Sequence, residues 1–466
     1  MGVVGQPAPQ TASRRLRAVE RVRSLILAGL LAGCSGSNPL VKIASPGESF
    51  TELKQRVALI RGLPFKRAVT LANGSPNPNE VSPDPAGEEY AAQSLPHLSR
   101  AYKRLGLLSE STDFSSALAE YSRLQRLLYY EARTKAITIA QDSAKPGGGK
   151  LGPNGHPEPL PAVVALTQAL QEQYFQWQEK LRLVSFEDRK LAFRAVAGGD
   201  ALLVASAYLA EPRPTKTADP APIVAQWATV LEKMSAHLPE LLRQKLIFPY
   251  REGSRFVQWA QAAKGWAGVN ALYADPPLST SQVLHAEKYY VTRENPLRII
   301  PWGLARQMNE PAVVDQTLGE YLIQLLLSSS VSRKEATQIA AASTGDQLTG
   351  YLHGENLLIA WISAWKSEKD AQAFYRAYQA LLEGRHRVRF SRSAGRNDSL
   401  QAGPSGGSAM LLQMRGPFVL LLDGLASAEA LPLADEVWRN LDAETESIVI
   451  PFESAKRAAQ LSLISR

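Results

Sequence analysis

Residues 347–365 read QLTGYLHGENLLIAWISAW, and this stretch decides the fold of the C-terminal third. Residues 357–365 are rich in aliphatic and aromatic side chains, and residues 347–353 alternate between apolar and small or polar ones. Both compositions are typical of strands. The segment between them, His353-Gly354-Glu355-Asn356, is typical of a tight turn. The stretch therefore predicts an antiparallel hairpin.

The segments around this hairpin extend the prediction. Ser367 followed by Asp370 is typical of a helix N-terminus, and the apolar spacing predicts a helix over 367–384. We expect a helix over 315–330 before the hairpin and another near 427–441. Further strands are predicted over 388–391, 410–415 and 418–423, the last two joined by a turn at Gly416-Pro417.

The first two thirds have mostly helical spacing. Helical patterns cover 160–209, 223–237 and 253–264, with a proline-rich break at 212–222. Short strands are expected at 133–140 and 297–300. The predicted fold class is therefore α+β: a mostly helical body followed by a C-terminal antiparallel sheet with packed helices.

The composition is that of an ordinary globular protein. Of the 466 residues, 45% are hydrophobic and 21% are charged, which excludes wholesale disorder. The chain has one cysteine, Cys34, which excludes disulfides within the chain and any multi-cysteine metal site.

The N-terminus has the layout of a secretory signal. Residues 14–23 (RRLRAVERVR) are basic, and residues 25–32 are apolar but too short to span a bilayer. The run then ends in Leu31-Ala32-Gly33-Cys34, which resembles the lipobox of bacterial lipoproteins. That resemblance implies acylation of Cys34 and, because residue 35 is Ser rather than Asp, an outer-membrane destination facing the periplasm.

Removal of the signal would also change the charge. The formal net charge is +8, and the signal carries about half of it, so the mature protein would lie near +4. Nucleic acid is therefore not an expected partner. We divide the chain into a signal peptide (1–33), a tether and loop-rich region (34–95), a mostly helical region (96–310) and an α+β region (311–466).

No local motif for catalysis stands out. His285-Ala286-Glu287 places a histidine and a carboxylate two residues apart, on the same side of a strand but not of a helix. A buried or capping histidine in a turn explains this pair more simply than a site does.

Six segments in order resemble a family of secreted bacterial zinc metallopeptidases. They are YYEARTKAI (129–137), QALQEQYF (168–175), AVAGGDA (195–201), FPYREGSRFV (248–257), GWAGVNALYADPPLSTSQVLHAEKY (265–289) and STGD (343–346). The resemblance spans about residues 110–425. It implies a metallopeptidase-like body over the helical region.

The resemblance also implies that the zinc site is lost. The two histidines of the family's HExxH motif fall on Val164 and Gln168, its glutamate falls on Ala165, and the glutamate offered as third ligand falls on Gly198. Valine and glycine side chains cannot bind zinc, glutamine is a poor ligand, and Ala165 cannot act as a general base. We therefore expect no zinc, no other cofactor and no metallopeptidase activity.

What remains of the site would be a cleft for recognition. The resemblance makes five residues candidates for lining it: Asp200, Tyr250, His285, Glu287 and Tyr289. A buried capping role explains Asp200 equally well. The expected function is binding or envelope assembly, with the membrane as one partner through the lipid and a periplasmic protein or extended peptide as the other. The alternatives are an active hydrolase at an unrecognised site, including His285, Glu287 and Asp200, and a purely structural lipoprotein.

Overall fold

A computed structural model describes residues 49–73, 94–126, 130–131, 136–139, 159–210, 219–308, 310–354, 356–392, 399–403 and 408–446. The expected α+β class is confirmed: helices dominate the first two thirds, and an antiparallel sheet dominates the last. The predicted signal peptide and Cys34 lie outside the described residues.

The helical body is built around two long helices that pack along each other. They are α6 and α8, and a kink at Gly265, where φ is +61°, divides α8. The helices of the body are α1 Phe50–Arg61, α2 Leu95–Leu105, α3 Phe114–Arg126, α4 Pro159–Phe175, α5 Trp177–Arg182, α6 Glu187–Ala210, α7 Ala221–Met234, α8 Glu240–Ala271, α9 Thr280–Leu284 and α10 Glu287–Tyr290. A small sheet in the order β1-β3-β2 accompanies them, formed by β1 Thr70–Asn73, β2 Tyr130–Glu131 and β3 Ala136–Ile139.

Helix α6 is the one helix of the described part that is long and apolar enough to cross a membrane. However, 94% of its apolar window is buried within the protein. Its composition is therefore accounted for by packing in the centre of the body.

The C-terminal region contains an antiparallel seven-stranded sheet in the order β5-β6-β7-β11-β10-β9-β8. The elements of this region are β4 Leu297–Pro301, α11 Trp302–Met308, β5 Val314–Gln316, α12 Gly319–Leu327, α13 Arg333–Ala340, β6 Ser343–His353, β7 Asn356–Trp365, α14 Glu368–His386, β8 Ser391–Arg392, β9 Ser399–Ala402, β10 Ser408–Arg415, β11 Phe418–Ala426, α15 Ser427–Arg439 and β12 Leu441–Thr445. The predicted hairpin is β6–β7, with His353 opposite Asn356.

Both faces of the sheet are covered. Along β7, Ile359 and Trp361 belong to the large core shared with α14 and the helical body, whereas Ala360 and Ile362 belong to a second core under α11 and α15. This alternation explains why β7 is a nearly continuous apolar run. The large core contains residues from both sides of position 310, so it joins the helical body to the sheet.

Two elements differ from the sequence-based expectation. Residues 314–316 form strand β5 at the sheet edge, and helix α12 starts only at Gly319, whose φ of +67° interrupts a continuous helix from 315. Helix α14 runs on to His386, and the left-handed Arg387 ends it, so only Ser391–Arg392 remain of the strand expected at 388–391.

Candidate functional site

The four positions that the resemblance assigns to zinc chemistry lie inside the helical body. Val164, Ala165 and Gln168 on α4 are at most 3% exposed, and Gly198 on α6 is buried. A Cβ on Gly198 would lie 2.6 Å from the carbonyl oxygen of Pro249, so this glycine permits close packing of α6 against α8. Among the residues that the structure describes, no group of three or more His, Cys, Asp or Glu side chains is arranged to hold a metal ion.

Asp200 belongs to a buried ion-pair network and does not cap a helix, because it lies in the middle of α6. Its carboxylate accepts hydrogen bonds from the Arg61 guanidinium (Nε–Oδ1 2.9 Å) and from the Tyr273 hydroxyl (2.8 Å). Gln171 donates a further bond at 3.2 Å. The Arg61 and Asp200 side chains are both 0% exposed. The network is internal and ties α1 and α4 to α6.

Tyr250 is packed against the degenerate ligand position Gln168, whose side chain hydrogen-bonds to it. Burial raises the pKa of Tyr250 to about 12. Its ring meets that of Trp227 edge-on, with centroids 5.9 Å apart. A phenol in this environment stays neutral and acts as a packing residue.

Tyr289 lies elsewhere, on α10. Its hydroxyl donates to the carbonyl of Asp275, and the Arg293 guanidinium lies 4.6 Å from the centre of its ring. Burial raises the pKa of Tyr289 to about 12.

His285 and Glu287 lie near Tyr289 in the chain, with Glu287 on the same helix, and they contact each other only weakly. His285 is the C-cap of α9, and its Nε2 lies 2.6 Å from Glu320 Oε1, whereas its Nδ1 lies 3.8 Å from Glu287 Oε1. Glu320 is 3% exposed, so the buried carboxylate is the stronger partner.

The five residues therefore do not form one cleft, because Asp200 lies far along α6 from the group His285, Glu287 and Tyr289. Asp188, which lies beside the His285 region, and Asp200 both lie on α6. Twelve residues separate them, which is roughly 18 Å along the helix axis. Asp200 and His285 are thus too far apart to act on one bond.

The structure instead brings two of the resembling segments, 265–289 and 343–346, together at one cavity. The cavity has a volume of about 80 Å³ and lies between α6, α9 and the start of β6. Ser279, Ser281 and Lys288 from the first segment and Ser343–Asp346 from the second line it, and we call it the junction cavity. Three buried carboxylates surround it: Asp188, Glu320 and Asp346.

Two of these carboxylates are held by backbone groups. Asp346 accepts hydrogen bonds at 2.8 Å from the amides of Leu318 and Gly319, at the N-terminus of α12, and one at 3.0 Å from the Trp361 indole. Asp188 Oδ1 accepts from the amide of Thr280 at 3.1 Å and from its hydroxyl at 2.5 Å. Orphan amides at a helix N-terminus are natural partners of a carboxylate.

Burial makes these acids harder to ionise. It raises the pKa of Asp188 to about 8, against the effect of the two Thr280 hydrogen bonds and with a smaller contribution from the negative charges of Asp346 and Glu320. Burial also raises the pKa of Asp346, against the effect of its amide and indole donors. Asp188 therefore keeps its proton at neutral pH.

The cavity also holds a buried ammonium and a hydroxyl. Lys288 Nζ donates to Ser281 Oγ at 2.6 Å and lies 3.5 Å from Glu320 Oε2. An ammonium placed between a carboxylate and a hydroxyl serves as a donor, so it does not activate Ser281 as a nucleophile. The arrangement offers hydrogen-bond donors and acceptors to a small polar group. Ser281, Lys288 and Glu320 are not arranged as a catalytic triad.

Sequence reasoning missed two of the three carboxylates. Asp346 lay in a segment that the resemblance had selected, but Asp188 and Glu320 are single acids within helical patterns. Only the pairing of α6 with α9 and α12 reveals them.

Comparison with known proteins gives one match. The profile of a domain of unknown function (DUF8575) matches residues 307–434, which contain the seven-stranded sheet with α12 to α14. No curated protein and no solved structure matches the chain.

Proposed function

We propose that this chain is a lipid-anchored protein of the bacterial envelope, in which a metallopeptidase-like body serves as a non-catalytic binding scaffold. The observation that carries the proposal is the burial of Val164, Ala165, Gln168 and Gly198 in the contact between α4, α6 and α8. A hydrolytic site needs an open position for water and substrate, whereas these positions are packed.

The anchor would be the acylated Cys34, with residues 35–48 as the tether. About 15 residues separate Cys34 from Ser49, which caps α1 through a reciprocal bond with Glu52. Such a tether reaches at most ~50 Å when fully extended. The body would then stay within that distance of the outer membrane, facing the periplasm.

The partner would be a periplasmic protein or an extended peptide. The junction cavity supports this because its polar walls combine Lys288, Ser281 and the carboxylates. A volume of about 80 Å³ accommodates one small side chain or one chain end, and it is well below the size of a drug-sized site.

The first test is the zinc content and acylation of the full-length protein purified in detergent. We expect well under one zinc per chain after dialysis, and labelled palmitate on wild type but not on Cys34→Ala. Stoichiometric zinc would contradict the loss of the site, and palmitate on Cys34→Ala would contradict the anchor.

The second test concerns recognition. A large residue at Gly198 is unsuitable for testing recognition, because even a Cβ there would lie 2.6 Å from the carbonyl oxygen of Pro249. Ser281→Tyr fills the junction cavity instead, and Thr292→Tyr, at an exposed position outside it, is the matched control. Crosslinked partners should be lost in the first variant only; identical partner sets would count against the cavity.

One observation favours a hydrolase as second candidate: His285 Nε2 lies 2.6 Å from the buried carboxylate of Glu320, which lines the junction cavity. This pairing resembles the second half of a catalytic triad. A hydrolase would lose its activity in His285→Ala while His353→Ala, at an exposed position in the β6–β7 turn, kept it. Equal activity of both variants would exclude His285 from the chemistry.

A further inference from the structure

A second cavity lies on the other side of α12. It has a volume of about 270 Å³ and is bounded by α8, α12, the end of α2 and the start of α13. Glu320 faces the junction cavity, and its neighbour Tyr321 faces this one. Because it contains Arg251 and Arg333, we call it the arginine cavity.

One wall of the arginine cavity is apolar. It is formed by leucines from α8, from α12 and from the turn after α2: Leu107, Leu241, Leu325 and Leu326. Leu241 and Leu326 are at most 2% exposed and belong to the large core, so this wall is fixed by packing.

The opposite wall presents Arg251 in a fixed orientation. Its Nε donates to Glu252 at 2.9 Å, and its Nη2 approaches Gln244 Oε1 at 3.3 Å and the Tyr321 hydroxyl at 3.4 Å. Within the described residues, its Nη1 has no hydrogen-bond partner. A guanidinium has five donors in a planar fork, so this arrangement orients it and leaves donors available.

Arg333 supplies the second cation, at the exposed side of the cavity. Its guanidinium makes no hydrogen bond or ion pair with any residue in the described part of the chain, while its backbone carbonyl accepts from the Thr337 hydroxyl at 2.9 Å. It is the first residue of α13, where the helix dipole disfavours a positive charge. Neither helix formation nor a structural ion pair accounts for an arginine here.

The cavity also contains one carboxylate, Glu240, which is bonded to its own neighbours. Glu240 accepts from Gln244 Nε2 at 3.0 Å and pairs with Arg243. Burial raises the pKa of Tyr321, and Arg251 and Arg333 both act against that rise, so both cations lie near the same hydroxyl. The cavity thus has a cationic end beside an apolar wall.

We propose that the arginine cavity binds a small monocarboxylate with an apolar body. The carboxylate would lie between Arg251 and Arg333, where planar guanidinium donors match its geometry, and the apolar body would lie against the leucines. Two sources share this chemistry: a short fatty acid, and the C-terminal residue of a peptide. The proposal does not depend on the lipid anchor or on the lost zinc site.

The test is calorimetric titration of the full-length protein with three probes. Hexanoate represents the fatty acid, N-acetyl-leucine represents the chain end, and 1-hexanol has an apolar body without the charge. We expect saturable binding of at least one carboxylate and none of hexanol at the same concentration. The tighter of the two carboxylates identifies the source.

Arg333→Gln is the decisive variant, because within the described residues it breaks no hydrogen bond or ion pair of the guanidinium and keeps the backbone bond to Thr337. Its matched control is Arg376→Gln, an exposed arginine on α14 outside the cavity. Arg333→Gln should weaken carboxylate binding about tenfold, since a charge-assisted hydrogen bond is lost, and Arg376→Gln should bind like wild type. Unchanged midpoints of thermal unfolding without ligand would confirm that both variants fold.

Three results would overturn the proposal. One is equal binding of hexanoate and hexanol, which would make the cavity a purely apolar site. The second is binding of neither carboxylate, and the third is equal binding by Arg333→Gln and Arg376→Gln. Arg251→Gln should also lose affinity for the carboxylate, because Arg251 is the other cation of the cavity.

Discussion

Arg61 and Asp200 form an ion pair 2.9 Å long whose two side chains have no exposed surface. The pair joins the first described helix to the middle of the central helix, 139 residues further along the chain. Arg61 also donates to Asn270 at 2.7 Å, and its guanidinium lies 4.6 Å from the Trp266 ring. This pair therefore attaches the first described helix to the centre of the body.

Replacing Arg61 by Met should destabilise the protein by about 3–5 kcal/mol, because Asp200 would be left buried without its cation. Urea denaturation would measure the change. The double variant Arg61→Met/Asp200→Leu should recover much of the loss. Arg123→Ala, which removes the cation of the more exposed Arg123–Glu120 pair, should cost under about 1 kcal/mol. Equal costs for the two single variants would contradict the importance of burial.

Gly319→Ala should be among the most destabilising glycine substitutions. The residue has φ +67°, and a Cβ there would overlap the Asp188 carboxylate. Gly354 in the β6–β7 turn has a similar φ of +61° but nothing within 4 Å. Gly354→Ala should therefore cost only the backbone strain, about 1 kcal/mol. The loss of stability in Gly319→Ala beyond that in Gly354→Ala, measured by thermal unfolding, is the cost of the contact with Asp188. Equal losses in the two variants would show that the Asp188 side chain moves aside at no cost.

Stability should fall as the pH rises from the unfolded pKa of Asp188 to its folded pKa. In this range Asp188 is protonated in the folded protein and ionised in the unfolded one. Burial raises its folded pKa to about 8, whereas an unfolded aspartate has pKa about 3.9. The folded state binds more protons between those values, so the free energy of unfolding decreases from about pH 4 to about pH 8. Asp346, whose pKa is also raised by burial, contributes with the same sign.

Asp188→Asn should flatten this pH dependence, which is measured by urea denaturation from pH 4.5 to 8.5. The control is Asp113→Asn. Hydrogen bonds from Ser116 lower the pKa of the exposed Asp113, so its stabilising effect is lost only on acidification. An unchanged slope in Asp188→Asn would mean that Asp188 is ionised in the folded protein.

Ala165→Glu should destabilise the protein by about 3 kcal/mol or more. Ala165 is 2% exposed on the buried side of α4, and a carboxylate there would lack a partner. Ala262→Glu places the same side chain at an exposed position of α8 and should be nearly neutral. If Ala165→Glu unfolded at wild-type urea concentrations, the interior around α4 would be open to water.

The parts of the fold that sequence predicts well are those that local chemistry determines. The β6–β7 hairpin follows from its strand composition and from the turn at His353–Asn356. Helix α14 begins where Ser367 predicts, and the Ser367 hydroxyl accepts from the amide of Asp370 at 3.2 Å. Both signals act within a few residues.

The parts that sequence predicts poorly depend on distant partners. Residues 314–316 look helical alone but pair with β6 at the edge of the sheet. Asp200 looks like a capping residue until Arg61, Gln171 and Tyr273 are placed around it. The junction cavity is a further case, because Asp188 and Glu320 come to line one cavity only when three helices meet at the start of β6.

The seven-stranded sheet ends in two very short strands, and these limit the pairing of its edges with strands of a neighbouring copy. β5 contributes three residues at one edge and β8 only two at the other, with Ser391 and Arg392 exposed. A long unpaired edge is a template on which another chain can add a strand, and short or charged edges suppress that growth. The short edges of this sheet therefore disfavour the addition of a strand from a neighbouring copy, and with it the growth of fibrils.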